Sequence, residues 1–310
     1  MLQLFALVGD GGRGALVYRP ATMPAEDVGT IDLDALAEQS QLLLLGEDTD
    51  LIDTLAKLGG ASGGARPKVN IGIAANGTFR QNAAADYDEW IVKFRATVDP
   101  VDIGPVEEAY ARMARAAGVD MAPSRLLSAT NGHGYFATRR FDRPAPGRRL
   151  HMVSLAGAIE ALPDVPSIDY DGLLRATAAI TRHAGDVEQA FRRMVFNVLA
   201  HNRDDHTRQH SYLMGTNGEW RLAPAYDLTF SNGPGGEHYL AVEGEGRTPN
   251  RAQVVTLGRR HGLSDRTIAE IIDAVRGALA DWPRLAAEVG VTASHAEIDE
   301  RLAHTAATFG

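Results

Sequence analysis

The chain has 310 residues, of which 45% are hydrophobic and 23% are charged, and its formal net charge is −9. This composition is that of an ordinary globular protein, and the length predicts two lobes or domains. The net negative charge argues against a general nucleic-acid or membrane-surface binder, and the absence of cysteine excludes disulfides and thiolate metal sites. The sequence shows no signal-peptide pattern and no apolar run long enough to span a bilayer, so we expect a cytoplasmic protein.

The first half of the chain is predicted to be rich in strands. Short apolar runs bounded by Gly, Pro, Asn or Asp predict strands, and Leu and Ala at helical spacing predict helices. In chain order, the predicted elements are strands 2–8 and 14–18, helices 32–45 and 48–58, strands 69–73 and 90–94, a helix over 105–118, and strands 125–128 and 135–141. Asp32 is expected to cap the first of these helices. A segment rich in Pro and Gly (142–147) then separates a predicted N-lobe, residues 1–145, from a C-lobe, residues 146–310.

The second half is predicted to be mainly helical. Its elements are helices 152–162, 170–184, 187–200, 251–262, 265–289 and 294–307, with strands 212–214 and 220–222 between the third and fourth helices. The helix over 187–200 has the clearest pattern, because large apolar residues recur on one face, and it is expected to lie in the core. A glycine-rich segment, 231–246, is expected to be a mobile or ligand-contacting loop.

A polar loop follows that core helix. Ten consecutive residues, Asn202 to Ser211, are polar and stand between a predicted helix and a predicted strand. Asp204, Asp205 and Asp227 lie on two loops joined by one hairpin, so they are expected to converge on one metal ion or one substrate hydroxyl. A plain solvated loop is the alternative.

Two features upstream suggest phosphate binding. Four glycines lie within the six residues Gly59–Gly64, next to Ser62, and such a loop lets backbone amides approach an anion, although a flexible linker is the alternative. Lys93 lies among large apolar residues in a predicted strand. The helix after it carries Glu107 and Glu108 near its start, and a strand Lys paired with a helix Glu positions nucleotide phosphates in kinases. A lone strand Lys and an N-terminal Glu also have ordinary solvent and dipole explanations.

The order of these features is that of a protein-kinase-like phosphotransferase. An alternative uses His201, His206 and His210 with the two adjacent aspartates as a transition-metal site for hydrolysis. The spacings His-Glu-x-x-His and His-x-His, which would support that alternative, are absent.

Six motifs in this order resemble the HipA family of bacterial toxin serine/threonine kinases. They are Gly63–Lys68, Ile91–Phe94, Arg140–Arg143, Phe196–Leu199, Asn202–Arg208 and Leu222–Leu228. The resemblance implies an α+β, two-lobed protein-kinase-like fold, with a β-rich N-lobe and a helical C-lobe, that uses ATP and Mg²⁺ to phosphorylate a serine.

The resemblance also implies a role for each matched residue. Asp204 would be the catalytic aspartate and His206 would support its loop. Asp227 and Gln209 would hold the metal. The nucleotide would be contacted by Lys93, Gly63, Gly64, Lys68 and Arg208, and by the backbone around Arg140 and Phe141. Ser62 would be the site of regulatory autophosphorylation, which would eject the glycine-rich loop because a phosphate there competes with ATP for the same cations.

Three departures from the family pattern bear on these roles. Gln209 stands where members usually carry Asn, and it is one methylene longer. Ala61 occupies the position of the usual regulatory serine, with Ser62 beside it. Residues 2–18 look like only the end of the N-terminal subdomain of full-length members, as in the shorter toxins of the HipT type.

The implied partners follow from the family. They are a helix-turn-helix antitoxin similar to HipB, a small separate protein similar to HipS, and a protein substrate, expected to be an aminoacyl-tRNA synthetase whose phosphorylation inhibits translation. DNA would be contacted only through the antitoxin, and no membrane is implied. A nucleotide-binding regulatory partner with little phosphotransfer is the alternative, suggested by Gln209 and Ala61.

Overall fold

The computed structural model describes residues 8–9, 11–21, 31–46, 66–80, 87–161 and 167–310. The chain forms two compact units. Unit 1 comprises Met1–Pro105 and Ala122–Met152, and unit 2 comprises Val106–Met121 and Val153–Gly310. The lobe boundary predicted at 145–146 stays a prediction. The compact units differ from it in assigning residues 106–121 to unit 2 and residues 146–152 to unit 1.

Helices and strands follow one another in irregular order along the described part of the chain. The helices are α1 Leu33–Leu44, α2 Ile103–Ala116, α3 Leu155–Ala158, α4 Tyr170–Thr181, α5 Ala184–Leu199, α6 Arg251–Arg260, α7 Asp265–Ala280, α8 Trp282–Val289 and α9 His295–Phe309. The strands are β1 Lys68–Ala74, β2 Phe79–Arg80, β3 Tyr87–Lys93, β4 Ser124–Leu127, β5 Tyr135–Arg139, β6 His151–Ser154, β7 Ser211–Met214 and β8 Trp220–Leu222. None of the helices in the described ranges is both long and apolar enough to cross a membrane.

Unit 1 is built on a five-stranded antiparallel sheet in the order β2-β1-β3-β5-β4. Alternate residues of β1 are buried, because side chains of a strand point to opposite faces in turn. Val69 and Ile71 belong to the same apolar cluster as Leu33 and Leu36 of α1. The predicted cap of α1 is confirmed, since the Asp32 carboxylate accepts hydrogen bonds from two backbone N–H groups of the first turn.

Unit 2 is organised around α5, which confirms the predicted core helix. Its largest apolar side chains are buried at a helical spacing, and α5 packs against α4, α7 and α9. These side chains are Phe191, Met194, Val195, Phe196, Val198 and Leu199. The β7–β8 hairpin follows, in a three-stranded sheet of order β6-β7-β8. The polar loop therefore lies between a buried helix and a partly buried strand.

The strand predicted over 14–18 is wrong. That segment forms a turn followed by irregular chain. The backbone groups of Gly14 bond to side chains instead of to a neighbouring strand: the Gly14 N–H donates to Asp142 Oδ2 (2.7 Å) and the Gly14 carbonyl accepts from Arg143 Nη1 (2.8 Å). The predicted strand 2–8 and helix 48–58 lie almost wholly outside the described residues.

Three helix predictions are also corrected. The helix expected over 152–162 is strand β6 followed by the single turn α3, in which the Ser154 hydroxyl accepts a hydrogen bond from the Gly157 N–H. The helix expected over 265–289 is two helices, because Pro283 has no N–H to continue α7 and instead stands in the first turn of α8. Helix α2 begins at Ile103, so Glu107 and Glu108 lie beyond its first turn.

Asp186 joins the start of α5 to strand β8. Its carboxylate accepts hydrogen bonds from Arg221 Nε and Nη2 and from the Leu222 N–H, each 2.9 Å long. Burial alone would raise the pKa of Asp186, but these donors lower it below its ordinary value. A carboxyl with a depressed pKa stabilises the fold above its unfolded pKa, and the contribution is lost as the pH falls through the folded pKa.

We therefore expect Asp186→Asn to lower the free energy of unfolding at pH 7 by about 1–3 kcal/mol, because two charge-assisted hydrogen bonds are weakened. The deficit relative to the wild type should shrink below about pH 4, because the Asp186 carboxyl of the unfolded chain becomes protonated there and that of the folded chain follows at lower pH. Urea unfolding at pH 7 and at pH 3.5 measures both values. Asp273→Asn, on the exposed face of α7, is the matched control. An equal deficit at the two pH values would contradict the pH argument.

Candidate active site

His206 holds the middle of the polar loop in a single 3-10 turn, Thr207–Gln209. Its Nδ1 accepts a hydrogen bond from the Arg208 N–H (3.2 Å), and its Nε2 lies 3.7 Å from Asp204 Oδ1. The ring also meets Tyr239 edge to face, with ring centroids 5.4 Å apart. His206 thus braces the loop from inside while facing the neighbouring carboxylate.

Gln209 brings two of the predicted carboxylates together. Its amide Nε2 donates to Asp227 Oδ2 (3.0 Å) and lies 3.5 Å from Asp204 Oδ2, at the limit of a hydrogen bond. Asp204, Gln209 and Asp227 therefore form one cluster in unit 2. Asp227 adopts a left-handed backbone conformation, with φ of 58°, which is uncommon for a residue with a side chain and is concentrated at functional sites.

Asp205 does not converge on this cluster, which corrects the expectation that all three aspartates would do so. Its side chain is fully buried and points the other way. Oδ2 accepts from the Tyr170 hydroxyl (2.5 Å) and pairs with His238 Nδ1 (2.8 Å), and Oδ1 accepts from the Tyr239 N–H (2.8 Å). Asp205 is thus a structural anchor.

Two buried amide side chains extend the hydrogen-bond network of Asp205 into the core. Asn197 of α5 donates from Nδ2 to the Tyr170 hydroxyl (3.0 Å), and Asn202 Nδ2 donates to Asn197 Oδ1 (2.9 Å). Burial, together with the charge of Asp205, raises the pKa of Tyr170 well above its ordinary value, so this hydroxyl stays a donor. The polar loop is consequently hydrogen-bonded to two core helices.

Two of the three histidines weighed as metal ligands, His201 and His210, are buried. Burial, assisted by Arg193, lowers the pKa of His210 to about 3. Burial, assisted by Arg203, lowers the pKa of His201 to about 4, and its ring stacks on Phe230. Across the described ranges, no three His, Cys, Asp or Glu side chains are grouped as metal ligands. The histidine-based metal site weighed from the sequence is therefore not formed there.

Tyr226 connects the loop that carries Asp227 to the polar loop. Its hydroxyl donates to the Arg208 carbonyl (2.6 Å) and lies 2.6 Å from Ser211 Oγ. Neither Tyr226 nor the partners of Asp205 were identified from the sequence. Tyr226 is the neighbour of Asp227 in the sequence, and this proximity could have identified it. Tyr170 and His238 are 35 and 33 residues from Asp205, so no local pattern in the sequence indicated them.

In unit 1, Lys93 and Lys68 lie opposite each other on neighbouring strands. Lys93 ends β3 and pairs in register with Lys68, the first residue of β1. The Lys93 ammonium lies 5.5 Å from the centre of the Phe136 ring, within range of a cation–π contact. Gly63, Gly64 and Ser62, which were predicted to bind or regulate the nucleotide, lie outside the described residues.

The predicted adenine-reading segment is a buried ion cluster. Arg140 Nη2 and Arg143 Nη1 both pair with Asp142 Oδ2, at 2.9 and 2.8 Å. Burial opposes ionisation of Asp142, but the two guanidinium groups lower its pKa below the ordinary value. The Arg140 N–H donates to the Glu89 carbonyl (2.8 Å). The side chain of Arg140 therefore stabilises unit 1, and the predicted contact of Phe141 with adenine stays a prediction.

Asp204 and Asp205 differ in burial, and replacing each of them by asparagine tests whether only Asp205 stabilises the fold. Asp205→Asn should lower the free energy of unfolding by about 1–3 kcal/mol, because an amide N–H₂ would replace an oxygen that faces two donors. Asp204→Asn should change it by less than about 0.5 kcal/mol, because that side chain is 45% exposed. Chemical denaturation of both variants measures this difference, and an equal cost at the two positions would refute it.

Comparison with known proteins identifies the family. Residues 60–282 match the model of the HipA-like C-terminal domain. A Haemophilus influenzae protein whose name assigns it to the kinases is 25% identical over 135 residues, and the match spans 39% of this chain and 39% of that relative.

Two solved structures are similar to this chain. The HipA of Shewanella oneidensis MR-1, solved with HipB and its operator DNA, has a TM-score of 0.68 and 20% identity, covering 98% of this chain and 76% of that chain. The Helicobacter pylori proinflammatory kinase CtkA has a TM-score of 0.49 and 14% identity, covering 80% of this chain and 90% of that chain. The likeness to HipA confirms the α+β kinase-like fold. With the family model matching most of its length, the chain belongs to the HipA-like C-terminal domain family.

Proposed function

We propose that the protein is an ATP-dependent serine/threonine kinase, with a β-rich N-lobe at residues 1–145 and a helical C-lobe at 146–310. The observation that carries the proposal is the cluster of Asp204, Gln209 and Asp227 in unit 2. Phosphoryl transfer requires little more of a protein than positioned carboxylates, cations for the phosphates and a metal. Membership of the family adds support.

Asp204 is the group that would act on the acceptor hydroxyl. Its side chain is 45% exposed, whereas that of Asp205 is fully buried, so only Asp204 can meet a substrate. A carboxylate at that position can orient the hydroxyl and accept its proton. His206, beside it, keeps the loop in the conformation that presents Asp204.

Asp227 and Gln209 are suited to hold Mg²⁺. That ion prefers oxygen ligands and usually takes one or two protein carboxylates plus phosphate oxygens. The cluster offers Asp227, the neighbouring Asp204 and the amide oxygen of Gln209, which would have to replace the N–H₂ group that now faces both carboxylates. When bound, the metal would neutralise phosphate charge.

The remaining roles concern the nucleotide. Lys93 and Lys68 bring two ammonium groups to adjacent strands of unit 1, which supports a phosphate-binding role. Gly63 and Gly64 would offer backbone N–H groups, Arg208 would add a cation, and the backbone around Phe141 would meet adenine. Ser62 would be the autophosphorylation site.

A toxin role follows by analogy. The Shewanella relative was solved with HipB and operator DNA, so we propose a helix-turn-helix antitoxin as the partner and contact with DNA only through it. We propose a small HipS-like protein as a further partner. The substrate serine would belong to an aminoacyl-tRNA synthetase, and its phosphorylation would stop translation. The protein would act in the cytoplasm.

A second candidate is a nucleotide-binding regulator with little phosphotransfer. Gln209 favours it, because its amide lies between Asp204 and Asp227 and its side chain is one methylene longer than the Asn usual in the family.

Asp204→Asn should reduce phosphate transfer by about 10²–10⁴-fold, the usual contribution of a positioned general base. Transfer from γ-labelled ATP to cellular proteins, followed by phosphoproteomics, measures the loss and identifies the acceptor serine. Asp273→Asn should retain wild-type transfer. A wild-type protein that binds ATP but phosphorylates nothing would leave the regulator as the better description.

Gln209→Asn tests the metal role. Asn shortens the side chain by one methylene, which removes the donor from between the carboxylates, and the Mg²⁺ concentration for half-maximal thermal stabilisation by ATP should fall at least about threefold. Gln189→Asn, on α5, is the matched control. Unchanged metal dependence would show that Gln209 has no part in holding the ion.

A further inference from the structure

The buried ion cluster of unit 1 also holds a segment from the start of the chain. This segment, residues 12–14 and here called the N-terminal tether, gives main-chain oxygens to two arginines. The Gly12 carbonyl accepts hydrogen bonds from Arg140 Nη2 (3.0 Å) and Arg143 Nη2 (2.8 Å), and the Gly14 carbonyl accepts one from Arg143 Nη1 (2.8 Å). The tether is therefore bound to both arginines, although Arg140 lies 128 residues after Gly12 in the sequence.

The oxygens of the tether serve charges that have little access to water. Arg140 and Arg143 are 5% and 4% exposed, and Asp142 between them is 4% exposed. Glu89 is only partly buried, and its Oε2 lies 3.5 Å from a guanidinium nitrogen of each arginine. Burial, assisted by the charge of Arg140, lowers the pKa of Arg143 below its ordinary value. Since a buried charge needs hydrogen bonds in place of its water, detaching the tether would destabilise both arginines.

Residues 140–143 form a turn whose conformation depends on the ion cluster. The Arg143 N–H donates to the Arg140 carbonyl (3.3 Å), which closes the turn around Phe141 and Asp142. The side chains of Arg140, Asp142 and Arg143 are paired with one another in the cluster. Three of the four residues of the turn are thus held by their side chains, and Phe141 lies among them. The groups that hold the two arginines therefore also set the position of the Phe141 backbone.

The tether approaches its neighbours closely because Gly14 has no side chain. Gly14 has a φ of 70°, and a Cβ on it would lie 2.9 Å from the backbone nitrogen of Met152. Its N–H donates to Asp142 Oδ2 (2.7 Å), so the tether also contacts the carboxylate of the cluster. Only glycine combines this φ with so close a contact. A substitution of Gly14 can therefore displace the tether without changing any residue of the turn.

We propose that the N-terminal tether is a positioning element for the nucleotide base, because it fixes the turn whose backbone at Phe141 would contact adenine. The inference rests on the proposed kinase function and adds a segment from the start of the chain to the determinants of nucleotide affinity. The lysines proposed to bind the phosphates, Lys68 and Lys93, lie on β1 and β3. A change of the tether is therefore expected to alter recognition of the base more than recognition of the phosphates.

Binding of MgATP and MgGTP to the full chain, measured by calorimetry, tests the inference because the two nucleotides differ only in the base. Gly14→Ala displaces the tether, and Arg143→Lys keeps the charge but cannot serve both tether carbonyls. Each variant should raise Kd for MgATP at least about tenfold and leave Kd for MgGTP within about twofold, since hydrogen bonds to charged groups are lost around the turn. The wild type should prefer ATP, and in both variants this preference should fall at least about fivefold.

Gly77→Ala is the matched control for Gly14→Ala. Gly77 also lies in unit 1 and has a positive φ, 85°, but a Cβ on it would meet nothing within 4 Å, so the backbone strain is similar and the tether is untouched. Arg80→Lys, on an exposed residue of β2, is the control for Arg143→Lys. Both controls should keep the wild-type preference for ATP. Equal rises in Kd for the two nucleotides in Gly14→Ala and Arg143→Lys would overturn the inference in favour of a general loss of structure, and an unchanged preference would overturn it as well.

Hydrogen exchange in the wild type keeps the test decisive if the variants fold poorly. Coupling between two sites is reciprocal, so MgATP should slow the exchange of amides in residues 12–14 as well as in residues 141–143, and MgGTP should slow it less. Slowing in the turn without slowing in the tether would contradict the inference. A wild-type protein that binds neither nucleotide would refute the proposed function itself. That outcome differs from a chain that prefers ATP and is indifferent to the tether.

Discussion

The buried carboxylate of Asp205 is the constraint on which the candidate site depends. A charge with no solvent exposure is tolerated only when hydrogen bonds replace its water. Here the donors come from α4, through Tyr170, and from the glycine-rich segment 231–246, through His238 and the Tyr239 N–H. Satisfying this one carboxylate therefore brings three separate stretches of unit 2 together and sets the direction of the polar loop.

The position of Asp204 follows from that anchor. Because its neighbour in the chain points inward, Asp204 is left partly exposed, close to Gln209 and in the same cluster as Asp227. Two adjacent carboxylates thus differ in exposure because their hydrogen-bond partners differ. The left-handed backbone of Asp227 is held by the same surroundings, including the contact of Tyr226 with the polar loop.

In unit 1, charged residues lie at one end of the five-stranded sheet. Lys68 and Lys93 share a register position at one end of β1 and β3. Asp142 joins Arg140 and Arg143 to the segment around Gly14. The N–H and the carbonyl of Gly14 are both hydrogen-bonded to side chains, and the strand expected there is not formed. The same buried pairing with Asp142 holds the Arg140 side chain within the fold of unit 1.

The sequence alone determined what depends on local periodicity and order. The apolar stripe of α5, the alternation in β1, and the polar loop with Asp204 and Asp227 were all predictable, because each is written in neighbouring residues. The partners of Asp205 were not, because Tyr170 and His238 meet it only after the helices pack. The break before α8 was missed because helical spacing continues across Pro283. Tertiary structure alone decided which aspartate is buried, since that choice requires donors distant in the chain.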